Sequence, residues 1–213
     1  VAAGTKAAAK LMREDRSAEV KILTKSQDIS YAGCGLPYYV GGSIEAKEDL
    51  IVNTPAEFMG LTGVAVHTNS EVTAVDPDRK TVTVNGEEIS YDKLVIAVGA
   101  EPAVPDVKGI HRNGVFTVRT PEDAIGIREY CKEKNTKKAV VVGGGFIGLE
   151  IAENLTAKGI SVTVVDMAQQ LLPGVFDPEM ADFIRRKLQE KGIRVIVAAK
   201  LEEVTGETCV SGA

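Results

Sequence analysis

Residues 138–166 read KAVVVGGGFIGLEIAENLTAKGISVTVVD, and this stretch decides the fold class. An apolar strand, Ala139–Val142, runs directly into Gly143, Gly145 and Gly148, which stand in G-x-G-x-x-G register. In such a turn the first glycine permits a tight bend and the second lets the backbone approach a pyrophosphate. The third allows the helix to pack closely on the strand. The order of strand, glycine turn, helix and strand therefore predicts a parallel βαβ unit with a dinucleotide site.

An acidic residue, Asp166, closes the second strand of this unit. A carboxylate there can accept hydrogen bonds from ribose hydroxyls, and it repels a 2′-phosphate. The helix that follows the glycines directs its free N–H groups and the positive end of its dipole at the phosphates. We therefore predict binding of NAD(H) in preference to NADP(H). The alternative is a tight strand–helix turn without a ligand.

The composition is that of an ordinary globular protein. The chain has 213 residues, 44% of them hydrophobic, and a formal net charge of −5, which argues against a general nucleic-acid-binding protein. No apolar run reaches the roughly 18 residues of a membrane span, so no membrane partner is predicted. Cys34, Cys131 and Cys209 are scattered, and the histidines are isolated. Neither a disulfide framework nor a metal site is predicted, and the predicted compartment is the reducing cytoplasm.

The first half of the chain predicts a mixture of helices and strands. Residues 1–15, VAAGTKAAAKLMRED, predict a helix with no strand before it, which suggests a fragment. A short strand is predicted over 18–25, and a helix capped by Thr54 follows. Residues 64–98 alternate around two turn signals, which predicts antiparallel strands, and the apolar run 94–100 predicts a buried strand. The predicted fold class is α/β, with two Rossmann-like lobes built on parallel sheets and an antiparallel β-meander.

The stretch SYAGCGLPYYVGG, residues 30–42, sets one cysteine between two glycines. Pro37 lacks an N–H group, so a helix through this stretch can contain it only in the first turn. Cys34 then lies just before or at the helix start, where the dipole and free N–H groups favour the thiolate. We predict that Cys34 is a redox nucleophile. The alternative is an inert buried thiol, which is the prediction for the other two cysteines.

Four segments together resemble the FAD-dependent pyridine nucleotide-disulfide oxidoreductases: VAAGTKAAAK, SYAGCGLPYYVGG, YDKLVIAVGAEPAVP and VVVGGGFIGLE. The resemblance narrows to the branch with one redox cysteine, which includes coenzyme A-disulfide reductases, NADH polysulfide reductases, NADH oxidases and NADH peroxidases. It implies FAD and NADH as cofactors. It also implies a partial FAD-binding lobe with the redox cysteine over residues 1–104 and an NAD(H)-binding lobe, incomplete at its end, over 105–213. The resemblance further implies that the family's C-terminal dimerisation domain is not part of this sequence and that the full-length protein is a homodimer.

The resemblance also assigns roles to single positions. The implied cofactor-binding residues are Gly4, Thr24, Lys25, Cys34, Ala97, Val98, Gly99, Gly143, Gly145, Phe146, Ile147, Gly148, Glu150 and Asp166. The implied substrate-binding residues are Lys10, Arg13 and Ser30, the first two matching residues that contact coenzyme A phosphates in coenzyme A-disulfide reductases. The family usually has glutamate at Thr24 and threonine at Val98, and the former departure puts the FAD ribose contact in question. The alternatives are a solvated basic face for Lys10 and Arg13, and an exposed helix carboxylate for Glu150.

The reaction implied by the resemblance passes electrons from NADH through FAD to a disulfide that involves Cys34. The substrate would be a small disulfide or sulfur compound, such as coenzyme A disulfide, a persulfide or a polysulfide. A single cysteine would be oxidised to a mixed disulfide or a sulfenic acid. NADH oxidases and peroxidases typically carry a histidine where this chain has Ala2, so we predict sulfur reduction over oxygen or peroxide reduction. Oxygen or peroxide reduction stays an alternative, as do a non-catalytic dinucleotide-binding fragment and a ferredoxin-reductase-like protein.

Overall fold

The computed structural model describes residues 1–213 as an α/β chain. The helices are α1 (Ala2–Glu14), α2 (Leu36–Gly41), α3 (Pro55–Thr62), α4 (Pro121–Glu133), α5 (Phe146–Ala157) and α6 (Pro178–Glu190). The strands are β1 (Lys21–Leu23), β2 (Ser30–Tyr31), β3 (Ile51–Asn53), β4 (Ala65–His67), β5 (Val72–Asp76), β6 (Thr81–Val84), β7 (Glu87–Ser90), β8 (Lys138–Val142), β9 (Ser161–Val165) and β10 (Arg194–Ile196). Contacts divide the chain into two compact units. The first is Val1–Ala32 with Ile51–Glu101, and the second is Gly33–Leu50 with Pro102–Ala213.

The first unit contains a parallel strand pair and an antiparallel meander. β1 and β4 run parallel, whereas β5, β6 and β7 pair in sequence order as antiparallel neighbours. Asn85 and Gly86 both adopt positive φ between β6 and β7, which suits the tight N-G hairpin turn. Ala8, Phe58 and Val64 form the core in which α1 and α3 pack beside the parallel pair. The predicted opening helix, parallel strands and β-meander are thereby confirmed.

A capping box starts α3. The hydroxyl of Thr54 accepts a hydrogen bond from the backbone N–H of Glu57 at 3.2 Å, and the Glu57 carboxylate accepts one from the backbone N–H of Thr54 at 2.8 Å. Both bonds involve donors that would otherwise lack a partner at a helix start. The hydrogen bonds from Thr54 also lower the pKa of the Glu57 carboxyl below its ordinary value. The predicted cap at Thr54 is confirmed.

The predicted buried strand over residues 94–100 is wrong. The segment is not a strand, and Val95, Ile96 and Val98 are 68%, 69% and 80% exposed. An apolar strand is stable only beside a neighbour that completes its ladder and covers its faces. In the first unit β1 pairs with β4 alone, and neither strand pairs with the 94–100 segment.

The second unit is built on a three-stranded parallel sheet in the order β10-β9-β8. β8 pairs with β9 so that Val141 lies opposite Val164, and β9 continues the parallel pattern with β10. The apolar side of α5 packs on this sheet through Leu149, Ala152 and Leu155, all buried. The predicted βαβ unit over 138–166 is confirmed.

The segment Gly33–Leu50, which contains Cys34, leaves the first unit after β2 and returns to it at β3. Its contacts assign it to the second unit, because α2 packs against α4 and α5. The sequence analysis grouped this cysteine segment with residues 1–104. The structure differs because Leu36, Tyr39 and Val40 are apolar and bury themselves in the core of the second unit. The assignment of the two lobes to FAD and NAD(H) stays a prediction.

We expect Thr54→Ala to lower the free energy of unfolding by ~1 kcal/mol, because it removes the hydroxyl that accepts the backbone N–H of Glu57. Thr54→Ser keeps the hydroxyl and should remain within ~0.5 kcal/mol of the parent chain. Urea titrations followed by circular dichroism measure both values. An equal loss in the two variants would show that the hydroxyl is not what stabilises the start of α3.

Candidate nucleotide and thiol sites

The glycine turn between β8 and α5 has the geometry of a phosphate-binding loop. Gly143 adopts φ +116° and donates its N–H to the carbonyl of Val165 at 2.8 Å, which ties the turn to β9. A side chain at this φ would be strained, so the first glycine is required by the backbone. α5 has neither a side-chain cap nor an acidic residue in its first turn, so its first N–H groups remain available as donors to a phosphate.

The other two motif glycines meet different constraints. A Cβ atom at Gly148 would lie 2.0 Å from the carbonyl oxygen of Gly143, so no side chain fits where α5 passes the turn. A Cβ atom at Gly145 would meet no atom within 4 Å, and this residue has an extended backbone with φ −83°. The third glycine therefore serves the fold, whereas the second borders open space that a pyrophosphate can occupy.

Asp166 is bound to the same loop. Its Oδ2 accepts the N–H of Gly144 at 2.5 Å, and its Oδ1 accepts the N–H of Ala168 at 2.7 Å. A carboxylate has about four acceptor sites, so these two bonds leave capacity for ribose hydroxyls. Gly144 was missed in the sequence analysis, although a Cβ atom there would lie 2.6 Å from Leu171 and 3.1 Å from Asp166 Oδ2. The run of three consecutive glycines was the signal that could have revealed it.

Three predicted nucleotide contacts lie on the first turns of α5. Phe146 and Ile147 are 55% and 59% exposed, beside the open space at the second glycine. Glu150 is half-buried, and its backbone carbonyl accepts a hydrogen bond from the side chain of Asn154 at 2.9 Å. The structure thus brings the predicted NAD(H) residues together around the turn between β8 and α5, and their donor set fits a dinucleotide.

Cys34 lies in a short 3-10 turn, Gly33–Gly35, directly before α2. Its side chain is exposed and forms no disulfide. Pro37 occupies the first turn of α2, as the sequence analysis predicted. A Cβ atom at Gly33 would meet nothing within 4 Å, so the surroundings on that side of the sulfur are open. The thiol is therefore accessible to a small substrate.

Helix α2 approaches α5 at a glycine. A Cβ atom at Gly41 would lie 2.1 Å from Oδ1 and 2.9 Å from Cβ of Asn154 on α5. The helix then ends at Gly42, which has φ +84°, and Lys158 at the end of α5 borders it. The helix that begins at the nucleotide turn is thus also a packing surface for the helix that follows Cys34.

The remaining two cysteines have a different environment. Cys131 and Cys209 are half-buried and form no disulfide. Burial raises the pKa of the Cys131 thiol, although a hydrogen bond with Thr136 and the charge of Lys158 act in the opposite direction. A thiol with a raised pKa is a poor nucleophile near neutral pH. The raised pKa of Cys131 agrees with the prediction that this cysteine is inert, and the inert role of Cys209 stays a prediction.

The first unit brings part of its predicted FAD residues together. A Cβ atom at Gly4 on α1 would lie 3.4 Å from the Cβ atom of Ala97, so α1 approaches the segment that ends at Val98 and Gly99. α1 has no acidic residue in its first turn and no side-chain cap, which leaves donors suited to a phosphate. This part of the unit fits the phosphates of FAD.

The predicted FAD ribose position carries no acid. Thr24 follows β1 and donates its N–H to the carbonyl of His67 at 3.0 Å, and its hydroxyl accepts the N–H of Ser26 at 3.2 Å. Lys25 beside it is exposed. The hydroxyl of Thr24 is thus part of the turn after β1, and no carboxylate at this position can bind the two ribose hydroxyls.

The predicted substrate residues are divided between α1 and β2. Lys10 and Arg13 are both exposed on α1, and Lys10 forms an ion pair with Glu14 one turn later. Such an exposed pair contributes little energy and can be exchanged for another anion. Ser30 is half-buried in β2, opposite Asn53. The alternative of a solvated basic face therefore stays open.

No helix combines the length and the apolar character needed to cross a bilayer. No group of three or more histidine, cysteine, aspartate or glutamate side chains is arranged to bind a metal ion.

Comparisons with known proteins agree with this geometry. The profile of the pyridine nucleotide-disulphide oxidoreductase family matches residues 2–212. The NADH oxidase of Methanocaldococcus jannaschii is 38% identical over 213 residues, which cover 97% of this chain and 47% of that relative. The NAD(P)H coenzyme A polysulfide/persulfide reductase of Pyrococcus horikoshii is 37% identical over 206 residues, 96% of this chain and 45% of the relative. The solved structure of a NAD-dependent persulfide reductase from A. fulgidus superposes with a TM-score of 0.90 at 39% identity, over 95% of this chain and 38% of that one.

The fold class is that of the two-lobe dinucleotide-binding oxidoreductases. The chain belongs to the pyridine nucleotide-disulphide oxidoreductase family, which is a family of enzymes. The match confirms the predicted family and, with it, FAD and NADH as the cofactors that the family uses. The chain spans about half the length of the curated relatives it matches.

We expect Gly145→Ala and Gly148→Ala to separate binding from folding. Gly145→Ala should leave the unfolding free energy unchanged but weaken NADH binding at least about tenfold, because its Cβ enters the space predicted for the pyrophosphate. Gly148→Ala should lower the unfolding free energy by about 2 kcal/mol through its contact with the turn. Calorimetric NADH titration and urea denaturation measure the two effects. Wild-type NADH affinity in Gly145→Ala would contradict the placement of the site.

We expect Asp166→Asn to reduce the preference for NADH over NADPH about tenfold, because it removes both a charged acceptor for the ribose and the repulsion of a 2′-phosphate. Parallel titrations with the two nucleotides measure the ratio of affinities. Glu179→Gln is a suitable control, since it removes the same charge from the exposed start of α6. An equal change in both variants would point to general electrostatics and not to a ribose contact.

Proposed function

We propose that the full-length protein is a flavin-dependent NADH oxidoreductase that reduces a low-molecular-weight disulfide or sulfur compound through Cys34. The observation that carries the proposal is an exposed, unpaired thiol directly before α2, in the same compact unit as the glycine turn and Asp166. An accessible thiol is needed for attack on an external sulfur, and a buried one would not serve.

The chain's residues would divide the work as follows. The turn at Gly143 and Gly145 would bind the pyrophosphate of NADH, and Asp166 its adenosine ribose. Gly4 and the segment at Ala97 would border the phosphates of FAD. When bound, the two cofactors supply a pair of electrons to sulfur.

Cys34 would react by thiol–disulfide exchange. Its thiolate attacks one sulfur of a disulfide such as coenzyme A disulfide. A bond forms between Cys34 and that sulfur, the original S–S bond breaks, and one coenzyme A thiolate leaves. Two electrons and a proton then reduce the mixed disulfide, which releases the second coenzyme A thiol and restores the Cys34 thiolate. No second cysteine of the chain is required.

The choice of a sulfur substrate over oxygen or peroxide rests on two considerations. By the family resemblance, Ala2 occupies the position at which NADH oxidases and peroxidases typically carry a histidine. Ala2 is an exposed residue of α1, and its methyl side chain cannot transfer a proton. The relatives from P. horikoshii and A. fulgidus are named persulfide reductases. The M. jannaschii relative, named an NADH oxidase, favours oxygen or peroxide reduction as a second candidate function.

Lys10 and Arg13 would assist with a substrate that carries phosphates, such as coenzyme A, because both are exposed cations on one helix. A homodimer and a cytoplasmic location stay predictions from the family resemblance and the cysteine pattern.

We expect Cys34→Ser in the full-length, flavin-loaded protein to reduce NADH-dependent turnover of coenzyme A disulfide roughly a hundredfold or more, because it removes the nucleophile. In this variant NADH should still reduce the flavin, which the absorbance of the flavin measures. Cys131→Ser is the matched control and should keep full turnover. Unchanged disulfide turnover in Cys34→Ser would remove this residue from the mechanism. Fast turnover with peroxide and none with disulfide or polysulfide would favour the second candidate function.

A further inference from the structure

We propose that Arg128 is a positioning residue for Cys34: it fastens α2 to α4 and thereby fixes where the thiol lies in the second unit. This inference rests on the proposed function only because that function assigns Cys34 its role as the nucleophile. The contacts themselves do not depend on that function.

Arg128 binds the α2 segment in two ways at once. Its guanidinium carbon lies 4.6 Å from the centroid of the Tyr39 ring, which is a cation–π contact with a buried residue of α2. Its Nη1 donates hydrogen bonds to the backbone carbonyls of Ile44 at 3.2 Å and Glu45 at 2.8 Å. One side chain thus contacts the helix after Cys34 and also the chain that leaves that helix.

Helix α4, which carries Arg128, is held in place at its start and along one face. α4 begins with a capping box in which the Thr120 hydroxyl accepts the N–H of Asp123 and the Asp123 carboxylate accepts that of Thr120. Ala124 and Ile127, on the same helix, are buried in the core of the second unit. Arg128 therefore projects from a helix that is fixed at its start and along its buried face.

Helix α2 depends on such contacts because it has only six residues. A helix of that length has little stability of its own, so its position is set by what it packs against. Its own contacts include the buried side chains of Leu36, Tyr39 and Val40 and the close approach of Gly41 to Asn154, and beyond the helix Lys47 pairs with Glu122 at 3.3 Å. An exposed ion pair of this kind contributes little. Arg128 joins α4 both to Tyr39 within α2 and to the backbone that follows α2, at Ile44 and Glu45.

The planar guanidinium is specifically suited to this position. It can stack on a ring while its N–H groups point at carbonyl oxygens, whereas an ammonium group is a point charge without a plane. Lysine could therefore retain the charge and one contact, and methionine would retain only the aliphatic stem. This difference yields a graded series of variants.

The experiment compares Arg128→Met, Arg128→Lys and the control Arg185→Met by amide hydrogen exchange of the whole chain. Arg185 is a matched control because it lies on α6 in the same unit and pairs with Asp182. We expect Arg128→Met to speed exchange over residues 36–44 about tenfold, while the amides of β9 keep their protection. Arg128→Lys should fall between that variant and the parent, and Arg185→Met should match the parent.

A second readout separates positioning from general stability. In the full-length, flavin-loaded protein, Arg128→Met should lower kcat with coenzyme A disulfide about tenfold and leave KM for NADH unchanged, with partial recovery in Arg128→Lys. Parental exchange over 36–44 in Arg128→Met, or no difference between the lysine and methionine variants, would overturn the inference. So would a raised KM for NADH with kcat unchanged.

Should Arg128→Met unfold, with β9 losing protection as well, Arg128→Lys decides. Faster exchange confined to 36–44 in that variant supports the inference, and parental exchange overturns it. The exchange measurement needs neither flavin nor substrate. Unchanged turnover in Cys34→Ser would therefore refute the proposed function but not the role of Arg128 in positioning the thiol. Parental hydrogen exchange in the Arg128 variants would refute that role but not the proposed function.

Discussion

The second unit depends on the contact between Gly148 and the carbonyl oxygen of Gly143. A Cβ atom at Gly148 would lie 2.0 Å from that oxygen. The start of α5 can therefore lie this close to the end of β8 only because residue 148 has no side chain. From that starting point the buried side of α5 reaches the sheet through Leu149, Ala152 and Leu155. A larger residue at position 148 would shift the helix, and with it both the turn and the core.

The same helix connects the two candidate sites. Its N-terminus faces the space beside Gly145, and its middle, at Asn154, touches Gly41 of the helix that follows Cys34. A single rigid element thus contributes donors for a nucleotide at one end and a packing surface for the thiol segment along its side. The close approach at Gly41 requires the absence of a side chain, just as the turn does at Gly148.

The sequence predicted the elements whose cause is local. The order of strand, glycine turn, helix and terminal acid was visible in residues 138–166, as was the cap at Thr54, because each depends on neighbours within a few residues. The buried strand over 94–100 was wrong because burial depends on a ladder partner, which an apolar run cannot reveal about itself. Gly144 was missed because the motif rule leaves its position open, although Asp166 binds its N–H group.

The placement of Cys34 shows the same limit most clearly. Pro37 and the flanking glycines indicate from sequence that the thiol precedes a helix, and the structure agrees. Nothing local, however, indicates that this helix packs on α4 and α5, because the contacts come from Arg128 and Asn154, far along the chain. A cysteine that precedes a helix can be recognised from its neighbours in sequence, but the position of a helix of six residues is set by distant side chains. The position of the Cys34 thiol is therefore tied to the packing of the second unit as a whole, because the helix that follows it packs against α4 and α5.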